Sequence, residues 1–158
     1  MKYEVLSLLV DNQSGTLTRI ASLFARRGYN IESLTVSAVK DSKYSKITIT
    51  TIIEDKHELK QIVSQCAKLE VVRDIEIITK EEVVQREICL VKIKCKSEKA
   101  IEVVNIANIY KANIVDFSKD SLIVEITGKP AKVDAFLRVI ESYEIIDFCR
   151  TGITAMKR

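Results

Sequence analysis

Few residues in this chain are placed to do chemistry. The run Asp11-Asn12-Gln13-Ser14-Gly15-Thr16-Leu17 follows an apolar stretch and leads into a helical pattern with Leu17, Ile20, Ala21 and Phe24 at helical spacing. A glycine there lets backbone meet a ligand without a Cβ, and Ser14 is a residue type that caps helices. The N–H groups of Gly15, Thr16 and Leu17 then point outward, and a helix start of this kind attracts a carboxylate or a phosphate. An exposed helix dipole contributes only about 0.3–1 kcal/mol, so selectivity has to come from other groups. Asn30 lies between Gly28-Tyr29 and the strand that starts at Ile31, and its amide suits the ammonium and carboxylate of a zwitterion together. Taken alone, the loop reads sooner as an ordinary capped turn than as a ligand site, and Asn30 as the end of a turn.

Other chemistries find little support. His57 is the only imidazole, and Cys66, Cys89, Cys95 and Cys149 form no C-x-x-C pair, so no metal site is expected. Cys89 and Cys95 share one side of an alternating run with Val91 and Ile93, while Leu90, Lys92, Lys94 and Lys96 take the other. With Cys66 on a helical apolar stripe, these cysteines read as small buried hydrophobes in a reducing compartment. His57, in Asp55-Lys56-His57-Glu58, reads as a surface residue at a helix start. An acylphosphatase-like enzyme needs an arginine in its phosphate loop, whereas Arg19 lies a turn into the helix. No nucleophile–base pair is visible, so the chain alone is not expected to catalyse.

Composition bounds the class. The chain has 158 residues, 47% apolar and 30% charged, with four glycines and one proline, enough apolar matter for a core and little to interrupt it. A net charge of +3 is too small to imply nucleic acid. An RNA-binding module also needs exposed aromatics on its central strands, and residues 46–54 contain none. No stretch approaches the roughly 20 apolar residues of a membrane span. Glu4 falls inside what would be the apolar part of a signal peptide, so a cytoplasmic chain is expected.

The elements that must position the loop follow from periodicity. Residues 3–10 form an apolar strand, and the first helix ends at Arg26-Arg27-Gly28, as cations and then glycine favour. Strands at 31–39 and 46–54, a helix over 55–69 and a strand at 71–79 complete a βαββαβ pattern. The pattern then repeats: strand 86–96, helix 98–112, strands 113–118 and 121–127, a helix opened by Gly128 and Pro130, and a closing strand near 145–155. The expected architecture is α+β, two ferredoxin-like modules in tandem over 1–79 and 80–158, divided at the charged stretch 80–85. Both parities of residues 5–10 are largely apolar, so the face away from the helices needs cover, by packing between the halves or between chains, most simply in a homodimer.

The fold class hosts many functions, and here a resemblance adds to the residues. The run N-Q-S-G-T-L-T-R-I-A-S-L-F-A-R-R-G-Y-N-I-E-S-L-T-V, Asn12 to Val36, resembles the amino-terminal ACT domain of the regulatory (small) subunit of acetohydroxyacid synthase, also called acetolactate synthase. R-E-I-C-L-V-K-I (86–93), V-D-A-F-L (133–137) and R-T-G (150–152) extend the likeness over the whole chain. Asp11 and Thr16 depart mildly from the family, which usually has Glu and a small apolar residue there. The resemblance implies a non-catalytic subunit that activates a thiamine-diphosphate-dependent catalytic subunit and confers feedback inhibition by valine in branched-chain amino-acid synthesis. Thiamine diphosphate, Mg and FAD would then belong to the catalytic subunit, and none to this chain. It also implies homodimers through the ACT domains, with valine held by Asp11, Asn12, Ser14, Gly15, Thr16 and Leu17 of one chain and Asn30 and Ile31 of the other. Another ACT-type amino-acid sensor, acting on a different enzyme or on transcription, is the alternative.

Overall fold

A computed structural model describes residues 2–78 and 83–158. Two compact units divide the chain: Met1–Val84 with Gly152–Arg158, and Gln85–Thr151.

The first unit contains β1 (Lys2–Asp11), α1 (Thr16–Arg27), β2 (Ile31–Ala38), β3 (Tyr44–Ile53), α2 (Lys56–Ala67) and β4 (Val72–Ile77). Its antiparallel sheet runs β2-β3-β1-β4, the ferredoxin-like order. Period-two alternation sends Leu6, Leu8 and Val10 of β1 and Ile47 and Ile49 of β3 to one face, where Ile20, Phe24 and Ile62 of the helices bury them. Chain-local chemistry sets the helix ends. Gly28 is left-handed at φ +73°, and the N–H groups of Gly28 and Tyr29 reach the carbonyls of Ala25 and Phe24. The Asp55 carboxylate accepts from the N–H groups of His57 and Glu58 at 2.7 and 2.9 Å, and these bonds hold its carboxyl below the usual range. His57 is exposed, as expected.

The second unit repeats the plan with β5 (Val83–Lys94), α3 (Ser97–Ile109), β6 (Asn113–Phe117), β7 (Ser121–Gly128), α4 (Pro130–Ile140) and β8 (Glu144–Arg150), in the order β6-β7-β5-β8. Cys89, Val91, Ile93 and Cys95 face its core with Val103, Ala107, Phe136 and Ile140. The three cysteines read as buried hydrophobes are buried, and desolvation pushes the Cys66 thiol up to about 11; Cys149 is exposed.

Two expectations need correction. The closing strand is not continuous over 145–155: β8 stops at Arg150, and β9 (Thr154–Lys157) resumes after an irregular stretch. That tail, expected in the second module, belongs to the first unit. It also supplies cover for the face of the first sheet away from the helices. Ala155 is buried with Val5, Ile78 and Val83, the Thr35 hydroxyl donates to the Ile153 carbonyl at 3.0 Å, and Lys157 pairs with Glu76 at 2.7 Å. The double apolar parity of β1 is therefore met in part within the chain itself. Of the charged stretch 80–85 expected as the divide, Val83-Val84-Gln85 opens β5, and Lys80-Glu81-Glu82 lies outside the described residues.

Gly152 shows how closely the tail is seated. A Cβ there would stand 2.9 Å from Ser33 Oγ and 3.2 Å from the Leu34 backbone nitrogen, so a side chain forces the tail away from β2. Gly152→Val is expected to lower the unfolding free energy by about 1–3 kcal/mol, the range for overpacking. Urea denaturation measures it, and an unchanged midpoint would show that the tail does not rest on β2.

Candidate functional site

The loop between β1 and α1 is framed by hydrogen bonds that begin at Asp11. Its N–H donates to the Val71 carbonyl at 2.9 Å, and its own carbonyl accepts the Thr16 hydroxyl at 2.9 Å. Asn12 ties the loop to the β2–β3 turn: its N–H reaches the Lys43 carbonyl and its Nδ2 the Ser42 carbonyl, both at 2.8 Å. Thr16 is buried, so its side chain serves the frame. Its N–H also reaches back to the Gln13 carbonyl at 3.3 Å.

Ser14 does not cap the helix. The N-cap is Gly15, left-handed at φ +85°, and no side chain completes the cap. A left-handed residue is what swings the chain from the loop into α1, and an L side chain pays for that conformation in steric strain. Among the described residues no acceptor meets the N–H groups of Gly15 or Leu17, and nothing lies within 4 Å of the position a Gly15 Cβ would take. The result is an open, donor-rich helix start with the Leu17 side chain 42% exposed beside it.

Asn30 and Ile31 are not part of this cluster within one chain. Asp11 stands opposite Tyr44 at one end of β3, and Ile31 stands opposite Thr51 near the other. At the ordinary strand rise the intervening stretch spans roughly 23 Å. Asn30 is exposed, its Nδ2 donates to Glu32 Oε1, and its carbonyl accepts the Thr51 hydroxyl at 2.6 Å. The two halves of the expected site can meet only between chains. A cleft of about 140 Å³ does exist in this unit, lined by Ser7, Leu9, Lys46, Asp74 and Glu76, and it contains none of the expected residues. Its polar, solvent-open lining offers neither a helix start nor an apolar wall, so the loop remains the better candidate.

One residue of the loop's surroundings escaped the sequence. Arg73 of β4 donates from Nε to Asp11 Oδ1 at 2.7 Å and from Nη2 to Oδ2 at 2.5 Å. The fork of Arg73 holds the Asp11 carboxyl below the usual carboxylate range, and Asp11 in turn raises the guanidinium. An arginine in Val72-Arg73-Asp74 carries no local signal of a partner 62 residues away.

The second unit assembles the three strings that carried its resemblance. Arg150 of R-T-G donates from Nε to Glu87 Oε1 at 2.9 Å and from Nη1 to Asp134 Oδ1 at 2.7 Å, with Nη2 also on Glu87. Glu87 belongs to the β5 string and Asp134 to V-D-A-F-L on α4. This cluster reads as structural, since its anions are already paired. Among the described residues no group of three or more His, Cys, Asp or Glu is placed to hold a metal ion, and no helix is long and apolar enough to cross a membrane.

Comparison with known proteins agrees along the whole length. Residues 6–74 match a family model described as an AHAS small subunit-like ACT domain, and residues 86–158 one described as the small subunit of acetolactate synthase. A probable acetolactate synthase small subunit of Archaeoglobus fulgidus is 42% identical over 158 residues, 100% of this chain and 98% of the relative. The acetolactate synthase small subunit of Bacillus subtilis is 36% identical over 98% of this chain and 90% of its own length. The crystal structure of an acetolactate synthase small subunit from Thermotoga maritima superposes with a TM-score of 0.90 at 34% identity, covering 100% of this chain and 98% of that one.

Proposed function

This chain belongs to the family of acetolactate synthase small subunits, and from that premise we propose that it is a regulatory subunit, activating a separate catalytic subunit and making it sensitive to valine. The observation that carries the effector half of this reading is Gly15, a left-handed N-cap whose N–H and that of Leu17 meet no acceptor among the described residues. The effector carboxylate takes those two N–H groups. The donor set is narrower than the sequence suggested, because the Thr16 N–H already reaches Gln13.

Asp11, Asn12, Ser14 and Thr16 shape the loop, and Leu17 supplies an apolar wall. Asn30 and Ile31 of a second chain close the site, a reading supported by their place at the far end of β3 from the loop within one chain. Ligand binding across two chains changes the geometry of the pair, and inhibition follows when the inhibited state binds valine better. An apolar pocket discriminates one methylene by about 1–3 kcal/mol, so leucine and isoleucine act more weakly. In this reading thiamine diphosphate, Mg and FAD belong to the catalytic subunit, and this chain performs no chemical step.

The test is reconstitution. Acetolactate formation by the catalytic subunit is measured with and without this chain while valine is titrated. A rate that rises with the chain and falls with valine is expected. The absence of both effects would overturn the reading, and valine binding without any change in rate would point instead to a sensor acting elsewhere.

A further inference from the structure

Arg73 sits where β4 departs from regular pairing. Leu9 stands opposite Asp74 but Val10 opposite Val72, which leaves Arg73 as the extra residue of a bulge. Without the bulge Arg73 would stand opposite Val10 and share its face, which the helices bury completely. The bulge re-aims the guanidinium out of the core side and onto Asp11, where both carboxylate oxygens are taken.

Asp11 opens the effector loop, and its main-chain carbonyl accepts the Thr16 hydroxyl at 2.9 Å, so a negatively charged side chain is carried by a residue tied directly to the first residue of α1. That is the wrong sign for a site whose work is to receive a carboxylate. A charge so near in the chain is little screened over distances shorter than a Debye length of roughly 10 Å, so an unpaired Asp11 would repel the anion and weaken what the N–H groups offer. We propose that Arg73 is a positioning residue of the effector loop: its guanidinium fixes Asp11 and masks its charge, so that the start of α1 presents a net attraction to the carboxylate of an amino acid. This rests on the reading of the loop as an effector site, and it assigns Asp11 to the frame of that site.

The test is calorimetric titration of valine into the full chain and its variants at low and high salt. Arg73→Gln is expected to bind valine about five-fold more weakly at low salt, with the loss falling to within about two-fold near 0.5 M salt. Arg73→Lys keeps most of the affinity, and Asp11→Asn combined with Arg73→Gln returns to within about two-fold of the parent. Parental affinity in Arg73→Gln overturns the proposal. So does a loss that ignores salt and persists in the double variant, since that marks a merely structural arginine. If Arg73→Gln fails to fold, Asp11→Asn alone decides, with affinity at or above the parent's supporting the proposal and weaker binding overturning it. A parent chain that binds no valine removes the effector reading itself and the role of Arg73 with it.

Discussion

Gly15→Asp is expected to abolish the proposed valine inhibition of the reconstituted enzyme, and Gly15→Asn to retain a measurable part of it. The two variants share every consequence except charge. Both must adopt φ +85°, a conformation that costs an L-residue roughly 1–2 kcal/mol and that Asn and Asp tolerate better than other side chains. Both place a Cβ where nothing lies within 4 Å, so neither meets a steric obstacle in the chain. Only aspartate sets a negative charge where the effector carboxylate is proposed to bind. Two like charges about 4 Å apart repel by about 4 kcal/mol at an effective dielectric near 20, enough to remove binding at any practical valine concentration. Activation of the catalytic subunit is expected to survive in both variants. The measurement is acetolactate formation against valine for parent, Asn and Asp chains. Undiminished inhibition with aspartate would take the loop out of the effector site, and equal loss in both would assign the effect to backbone strain.

Arg150→Met is expected to destabilise the second unit by about 3 kcal/mol, the low end of the range for breaking a buried ion pair. The reason is what remains: the Glu87 side chain is only 4% exposed, and without Arg150 its carboxylate stays buried with no cation. Burial works against the Arg150 charge as well, but Glu87 and Asp134 outweigh it and hold the guanidinium firmly protonated. Asp134 is 46% exposed, so Asp134→Asn is expected to change stability by less than about 1 kcal/mol. Urea denaturation compares the three chains. A small loss for Arg150→Met would mean that water reaches Glu87 in solution, and replacing Glu87 with Gln as well should recover part of the stability by removing the stranded charge.

These expectations draw on different amounts of sequence. The loop from Asp11 to Leu17 and its glycine stood out because a helix start is a local event, written in neighbouring residues. The cap assignment failed by one residue: Ser14 has the chemistry of a cap, but the left-handed turn at Gly15 takes that place. The buried side of β5 was legible too, since alternation of Cys89, Val91, Ile93 and Cys95 with lysines needs no knowledge of the partner strand.

The sequence by itself determined the two βαββαβ modules, the helix termini at Gly28 and Pro130, the buried faces and the glycine-bearing turn between β1 and α1. All of these follow from spacings of two or of three to four residues, and from residues whose backbone preferences act within one turn. Only the tertiary structure decided that Arg73 leaves its register to reach Asp11, and that Glu87, Asp134 and Arg150 converge. The same holds for the last residues lying on the first sheet, and for Asn30 and the loop standing at opposite ends of it. Each of these is a pairing across dozens of residues or a one-residue slip in a ladder. Local periodicity reads the same with or without such a slip, so the choice falls to the packing of the whole unit.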